Sequence, residues 1–451
     1  MTTVNRRLLL NRLTPPQLIA LSFAVAILVG TLLLSSPWTH APGKNVTFLQ
    51  ALFTATSATC VTGLNVLDPG STFNRLGEVI LMVLIQVGGL GIITFGTLFA
   101  SLRGQRVGVQ ERLRTAQQAN LTEFGTVTRV IKGIFAYTLL TELVGALVLM
   151  VRFVPLEGWD RGIHLALFHA VSAFNNAGFG LYPDNMIRFA EDPLVLLTTS
   201  TLVILGGLGY LALLGVALYL RDPRRNRLSL NTIIILVTSA SLIVLGTVVV
   251  TVLEWNNPGT LGPLSTGGKL LSGYYQGVAP RTAGFNSVDY GAMHGATLFI
   301  TMLLMFVGGS PGSTAGGIKT TTFYVLVSSI VSHARGEHEN VSFHRRIETE
   351  DLLRASVVTA LSLVVVTSGM FLLLGTNPKL PFVNVAFEAF SAFATVDLSM
   401  NTTPLFNAPG QLVLIVLMFL GRIGPLTFAI AFARQQHHRI RYPVDKSIVI
   451  G

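Results

Sequence analysis

Four short stretches of this 451-residue chain hold the residue types with which a protein can build a site for a bare cation out of its own backbone. They are Thr59-Cys60-Val61-Thr62-Gly63-Leu64, Asn175-Asn176-Ala177-Gly178-Phe179, Arg281-Thr282-Ala283-Gly284-Phe285 and Ala394-Thr395-Val396-Asp397-Leu398. Each is a turn of mostly small residues following a short apolar stretch, and three hold glycine at the corresponding place. Glycine's φ/ψ freedom lets successive carbonyls face one point without a Cβ clash. A ring of such carbonyls replaces the hydration shell of a monovalent cation. The expected ring comprises Val61, Thr62 and Gly63; Asn176, Ala177 and Gly178; Thr282, Ala283 and Gly284; and Thr395, Val396 and Asp397, with potassium or sodium as the ion. The plainer use of glycine, close helix packing in a membrane, explains any one of these turns more readily than four of them in phase.

A second constellation is the run Gly308 to Gly317, ten consecutive residues drawn only from Gly, Ala, Ser, Thr and Pro. A regular helix is not expected there, since glycine costs ~1 kcal/mol and proline ~3 kcal/mol against alanine. Broken backbone at membrane depth must be buried in protein or line water, so the run is expected inside the molecule as a plug or gate. Its expected members are Gly308, Gly309, Ser310, Gly312, Ser313, Thr314, Gly316, Gly317 and Lys319, together with Arg422 from the middle of the last apolar segment. An intramembrane cation is expensive and marks a functional site by default. Arg422 either pairs with the plug, repels cations from the cavity or belongs to a structural ion pair. Lys319 gates or simply snorkels toward the cytoplasm. Glu142 and Glu388 read as structural carboxylates, Glu388 bonding the loop behind the fourth turn, and Cys60 as a packing residue.

The elements that must carry these residues are membrane helices. Hydrophobic residues make up 51% of the chain and charged residues 12%, against about 25% charged in a soluble domain. A span needs about 20 apolar residues. Eight are expected, near 17–35, 78–101, 130–151, 194–220, 231–253, 295–330, 353–375 and 410–433. The first follows Arg6, Arg7 and Arg12 as a signal peptide would, but it is too long for one and lacks a clear cleavage site, so it is kept as an anchor. Four shorter stretches, Phe48–Leu64, Ile163–Leu181, Gly268–Phe285 and Pro381–Leu398, alternate with the spans and read as re-entrant half-helices. The pattern of span, half-helix, turn, span occurs four times. The expected fold is therefore an all-α integral membrane protein of four tandem helix–loop–helix units forming a pseudo-tetrameric cation pore. The repeats divide at 1–101, 102–227, 228–335 and 336–451.

Of the 31 basic residues, 21 fall in the termini and three loops on one side and 8 on the other. The positive-inside rule puts both termini in the cytoplasm. The net charge of +10 is thus topogenic and calls for no nucleic acid. Arg103, Arg106, Arg112 and Arg114, with Arg335, Arg345 and Arg346, either serve topology alone or dock a regulatory partner or anionic lipid. An enzyme is not expected: nine histidines are scattered without metal spacing, and the glycine run lacks the residue order of a phosphate loop. A secondary transporter of an organic solute is the class alternative, but it predicts inverted repeats.

The turns, the plug Gly309-Ser310-Pro311-Gly312-Ser313-Thr314-Ala315-Gly316-Gly317-Ile318-Lys319 and the segment Gly421-Arg422-Ile423-Gly424-Pro425-Leu426-Thr427 resemble the Trk/Ktr/HKT superfamily of potassium and sodium translocating subunits, most like its KtrB type. The resemblance covers essentially the whole chain. It implies potassium uptake across the cell inner membrane, a homodimer, a cytoplasmic nucleotide-binding RCK ring as regulator, no cofactor beyond the transported ion, and a gate made by the plug and Arg422. One departure stands out. The family usually carries Gly-Thr-Val-Gly-Leu in the fourth turn, where this chain has Ala394-Thr395-Val396-Asp397-Leu398. Either the Asp397 carboxylate faces the ion and shifts preference toward sodium or relaxed selectivity, or it turns away and bonds the loop backbone, leaving carbonyls to select potassium.

Overall fold

The structure, a computed structural model, describes residues 14–102, 126–337, 339–424 and 427. Its helices are α1 (Pro15–Leu34), α2 (Phe48–Thr59), α3 (Arg75–Leu102), α4 (Thr126–Phe174), α5 (Pro193–Leu208), α6 (Tyr210–Arg221), α7 (Leu230–Glu254), α8 (Thr266–Val278), α9 (Gly295–Phe306), α10 (Thr320–Ala334), α11 (Thr349–Thr376), α12 (Phe382–Ala394) and α13 (Ala408–Ile423). A two-stranded hairpin, β1 (Val341–Ser342) and β2 (Arg345–Arg346), lies between α10 and α11. Its strands include Arg345 and Arg346, both exposed. Arg103, Arg106, Arg112 and Arg114, like Arg6, Arg7 and Arg12, lie outside the described residues.

The short helices start where the sequence caps them. Thr47 and Gln50 form a reciprocal capping box at α2, with Thr47 N donating to Gln50 Oε1 at 2.9 Å and Gln50 N to Thr47 Oγ1 at 3.3 Å. Ser265 caps α8 through Gly268 N at 3.1 Å. The long helices turn apolar residues outward: Leu139, Leu140, Leu143 and Leu147 on α4 and Phe371 on α11 are exposed. Meanwhile Thr54, Thr56, Ser57 and Thr59 of α2 are buried. This is the reverse of a water-facing protein, and it suits helices surrounded by hydrocarbon.

The packing order closes on itself. In each unit the helix after the turn packs on the short helix of the next: α3 on α4, α5 on α8, α9 on α12, and finally α13 back on α2. Glycines set the approach within units. A Cβ added at Gly88, Gly206 or Gly421 would come under 3.0 Å from the carbonyl oxygen of Thr59, Phe174 or Phe393 respectively. These three carbonyls sit at the same place in their units, two residues before the turn residues Val61, Asn176 and Thr395.

Three expected spans differ in form. The 295–330 segment is two helices, α9 and α10, with non-helical chain between them. The 194–220 segment bends by 98° at Gly209, whose φ is +84°. In the 410–433 segment α13 ends at Ile423, before Gly424 at φ +91°, and most of the chain beyond Gly424 lies outside the described residues. The 130–151 span and the second half-helix, together labelled α4, are two helices that meet without an intervening loop at Gly158 (φ 80°), three residues after Pro155. Glycine alone takes these dihedrals without strain, which places the break at Gly158.

Gly421→Ala is expected to cost about 1–3 kcal/mol, because the added methyl must displace rigid backbone rather than a side chain. The midpoint of thermal unfolding in detergent should fall, while a substitution at Gly267, which has nothing within 4 Å of an added Cβ, should leave it unchanged.

Candidate cation-binding site and the plug against it

Each short helix ends in a left-handed residue that reverses the chain. The turn residues are Val61 (φ 56°), Asn176 (φ 58°), Thr282 (φ 63°) and Thr395 (φ 53°). Three of the four turns are closed by the same pair of hydrogen bonds. Thr62 N donates to Ser57 O at 2.8 Å and Val61 N to Ala58 O at 3.1 Å. Ala177 N donates to Ser172 O at 2.8 Å and Asn176 N to Ala173 O at 3.1 Å. Val396 N donates to Ser391 O at 3.0 Å and Thr395 N to Ala392 O at 3.3 Å. This is the Schellman arrangement, normally built on glycine. In the third turn Ala283 N closes instead on Ala279 O at 3.0 Å. A β-branched residue such as Val61 in this region is a genuine outlier, and such strain persists only where the surroundings enforce it.

Two residues on, the backbone again takes positive φ, at Gly63 (92°), Gly178 (71°), Gly284 (73°) and Asp397 (79°). These four residues meet. A Cβ added at Gly63 would come under 3.0 Å from Asp397 Cγ and Ala177 O, one at Gly178 from Asp397 Oδ2, and one at Gly284 from Asp397 Cβ and Val396 O. Asp397 therefore shares the backbone form of the three glycines, and its side chain stands among the other three turns. It does not fold back onto its own loop. Glu388 takes that role: it is fully buried and accepts from Thr403 Oγ1 at 2.9 Å and from Ser399 Oγ.

The run 307–319 has no helix and packs against the turns. Thr314 Oγ1 donates to Asn176 Oδ1 at 2.9 Å. An added Cβ at Gly316 would come under 3.0 Å from Thr395 Oγ1. Val307 and Ile318 form a parallel bridge, and Arg281 Nη1 donates to Val307 O at 2.8 Å. The bend at Gly209 explains how the plug is held. It ends α5 at Leu208 and leaves the last carbonyls of the helix without intrahelical donors. Ser310 N donates to Gly207 O at 3.0 Å and Thr314 N to Gly206 O at 3.4 Å.

Arg422, 2% exposed, joins the plug to the first unit: Nη1 donates to Thr314 O and Nη2 to Gly88 O at 2.6 Å. Its hydrogen-bond partners among the described residues are these carbonyls and no carboxylate. Lys319 folds back onto the plug through Nζ to Ala315 O at 2.7 Å. Ser313 Oγ donates to Ser310 O at 2.7 Å, and Thr320 N to Gly309 O at 3.1 Å. Gly312 (φ 71°) is at the exposed tip. Gly308 and Gly317 lie side by side across the base of the plug, the added Cβ of Gly308 meeting Gly317 Cα at 3.1 Å. The roles of Gly207, Gly209, Asn175 and Gln86 were not foreseen from the sequence. Asn175 Nδ2 donates to both Gln86 Oε1 and Glu142 Oε1 at 2.9 Å, tying the second turn to α3 and α4. The signal available for Gly209 was the spacing Gly206-Gly207-Leu208-Gly209, matched by Gly421 and Gly424.

Among the described residues, no three His, Cys, Asp or Glu gather as a metal cluster would require. Any cation held here is held chiefly by peptide oxygens. The model of the TrkH cation transport protein family matches residues 17–440. The chain belongs to this family. TrkH family relatives align over nearly its full length. The Ktr system potassium uptake protein B of Bacillus subtilis is 43% identical over 440 residues, covering 98% of this chain and 97% of the relative. The potassium/sodium uptake protein NtpJ of Enterococcus hirae is 36% identical over 455 residues, covering 100% of both. The crystal structure of the potassium transporter TrkH from Vibrio parahaemolyticus superposes with a TM-score of 0.70 at 17% identity, over 92% of this chain and 84% of that one. It shares the fold. The chain is thus a multi-pass membrane protein of a cation transport family and not an enzyme, and the organic-solute alternative falls away.

If Arg422 holds the plug shut, a cysteine at the buried position Ser313 should be slow to react with a water-soluble thiol reagent. Adding Arg422→Gln removes at least one of two charge-assisted bonds, each contributing about 1.5–3 kcal/mol, so labelling should speed up roughly tenfold. An unchanged labelling rate would mean that Arg422 does not restrain the plug.

Proposed function

We propose that the chain is the pore subunit of a potassium uptake system, in which carbonyls of the four turns select the ion and the plug with Arg422 gates its passage. The observation that carries this is the meeting of Gly63, Gly178 and Gly284 with Asp397, each from a different unit and each at positive φ. Four helix C-termini, each with a partial negative charge of roughly half a unit, end at those turns. A cation there is favoured before any side chain contributes. Peptide oxygens that accept no hydrogen bond then act as ligands in place of water.

Passage past the plug requires breaking its bonds to Gly206, Gly207 and Asn176 and moving the Arg422 guanidinium. With Lys319 on the same segment, two positive groups guard the path against a cation. Potassium is favoured over sodium because the Bacillus subtilis relative is named for potassium alone and the Enterococcus hirae relative for potassium first. The proposal extends to four repeats divided near 101, 227 and 335, a homodimer in the cell inner membrane with cytoplasmic termini, and regulation by a cytoplasmic nucleotide-binding RCK ring. The Bacillus subtilis relative is named as part of a Ktr system, and the exposed Arg345 and Arg346 of the hairpin offer a basic face to a partner.

Two measurements test this. The chain should restore growth of a potassium-uptake-deficient bacterium at low external potassium, and proteoliposomes holding it should take up potassium and rubidium ahead of sodium. Deleting 311–313 at the plug tip should raise that flux several-fold without changing the order of ions; loss of the order would mean that the plug, not the turns, selects. Asp397→Gly should raise the potassium-to-sodium ratio, and an unchanged ratio would exclude the carboxylate from the ion path.

A further inference from the structure

Asp397 is 8% exposed, and among the described residues no donor and no cationic side chain reaches its carboxylate. Glu388, a second carboxylate in the same unit, has its own oxygens taken by Ser399 and Thr403. The three buried cations nearest the turns in sequence or contact are committed elsewhere, Arg422 to Thr314 O and Gly88 O, Lys319 to Ala315 O and Arg281 to Val307 O. A buried carboxylate without a partner is costly to ionise, and a bound cation offsets that cost.

Peptide oxygen and glycine lie beside the Asp397 side chain. Ala177 O and Val396 O line the same glycine faces that the Asp397 side chain touches. The chain emerges a few residues later at exposed Asn401, whose Nδ2 donates to Asp289 Oδ1; in the proposed topology this is the non-cytoplasmic side. An anionic oxygen set among neutral carbonyls suits a hard cation of higher charge than the transported one. The pull of a carboxylate on a cation doubles with its charge. Calcium accepts six to eight oxygens in loose geometry, whereas magnesium demands a tight octahedron and sheds water reluctantly.

The geometry points to Asp397 as a calcium site at the outer side of the turns, where the divalent ion competes with the monovalent cargo and blocks it. This rests on the reading that the turns line the ion path, and deepens it by naming a blocking ligand. With one carboxylate the affinity belongs with the weak sites, on the order of 10⁻⁴–10⁻³ M. External calcium would then restrain uptake in calcium-rich surroundings.

The test is rubidium uptake into proteoliposomes of the full chain against external calcium, then magnesium, for the wild type, Asp397→Asn and Asp397→Gly. Asparagine keeps the size and tolerates positive φ while removing the charge. Calcium should inhibit the wild type more strongly than magnesium does, and the calcium concentration for half-inhibition should rise about tenfold or more in both variants. Rubidium uptake in the wild type with no calcium effect overturns the inference, as does equal inhibition of all three proteins. If the wild type carries no rubidium, it is the transport reading that fails. Radioactive calcium binding to the detergent-purified proteins then decides the site alone: one saturable site lost in both variants supports it, and no such site or one retained in both overturns it.

Discussion

Peptide groups inside a bilayer have no water to bond, and each must find a partner within the protein. That constraint organises this molecule. The short helices stop halfway, so their last carbonyls need donors, and the left-handed turns at Val61, Asn176 and Thr395 supply them from the next residues of the chain. The break at Gly209 exposes the end of α5, and the amides of Ser310 and Thr314 cover it. Arg422 is held by two carbonyls rather than by a carboxylate. The peptide oxygens left over, at the centre where four turns meet, are the ones available to a cation.

The turns and the plug are therefore joined by hydrogen bonds. Thr314 touches three parts of it: the Asn176 side chain, the Gly206 carbonyl and the Arg422 guanidinium. Moving the plug disturbs the second turn, and an ion pressing on that turn is felt by the plug. The glycines Gly88, Gly206 and Gly421 hold the surrounding helices so close to the turns that the geometry has little room to relax.

Much of this was legible in the residues. The ten small residues from Gly308 to Gly317 could not form a helix, and they do not. The four turns announced themselves by position as much as by composition. The bend at Gly209 did not, because glycine-rich stretches inside membrane helices normally serve packing. Its break depends on donors from the plug, far later in the chain. The side on which Asp397 stands was equally hidden. Sequence could pose both orientations, and only the closeness of its side chain to Gly63, Gly178 and Gly284 decides between them. The join at Gly158 was obscured because no loop separates the span from the half-helix there.

The most direct measurement is an anomalous difference map from crystals of the protein soaked in rubidium. A peak on the line between the Gly63, Gly178, Gly284 and Asp397 turns, within ligand distance of Ala177 O and Val396 O, is the predicted result. A map whose ordered rubidium lies elsewhere, with that centre empty, would contradict the account.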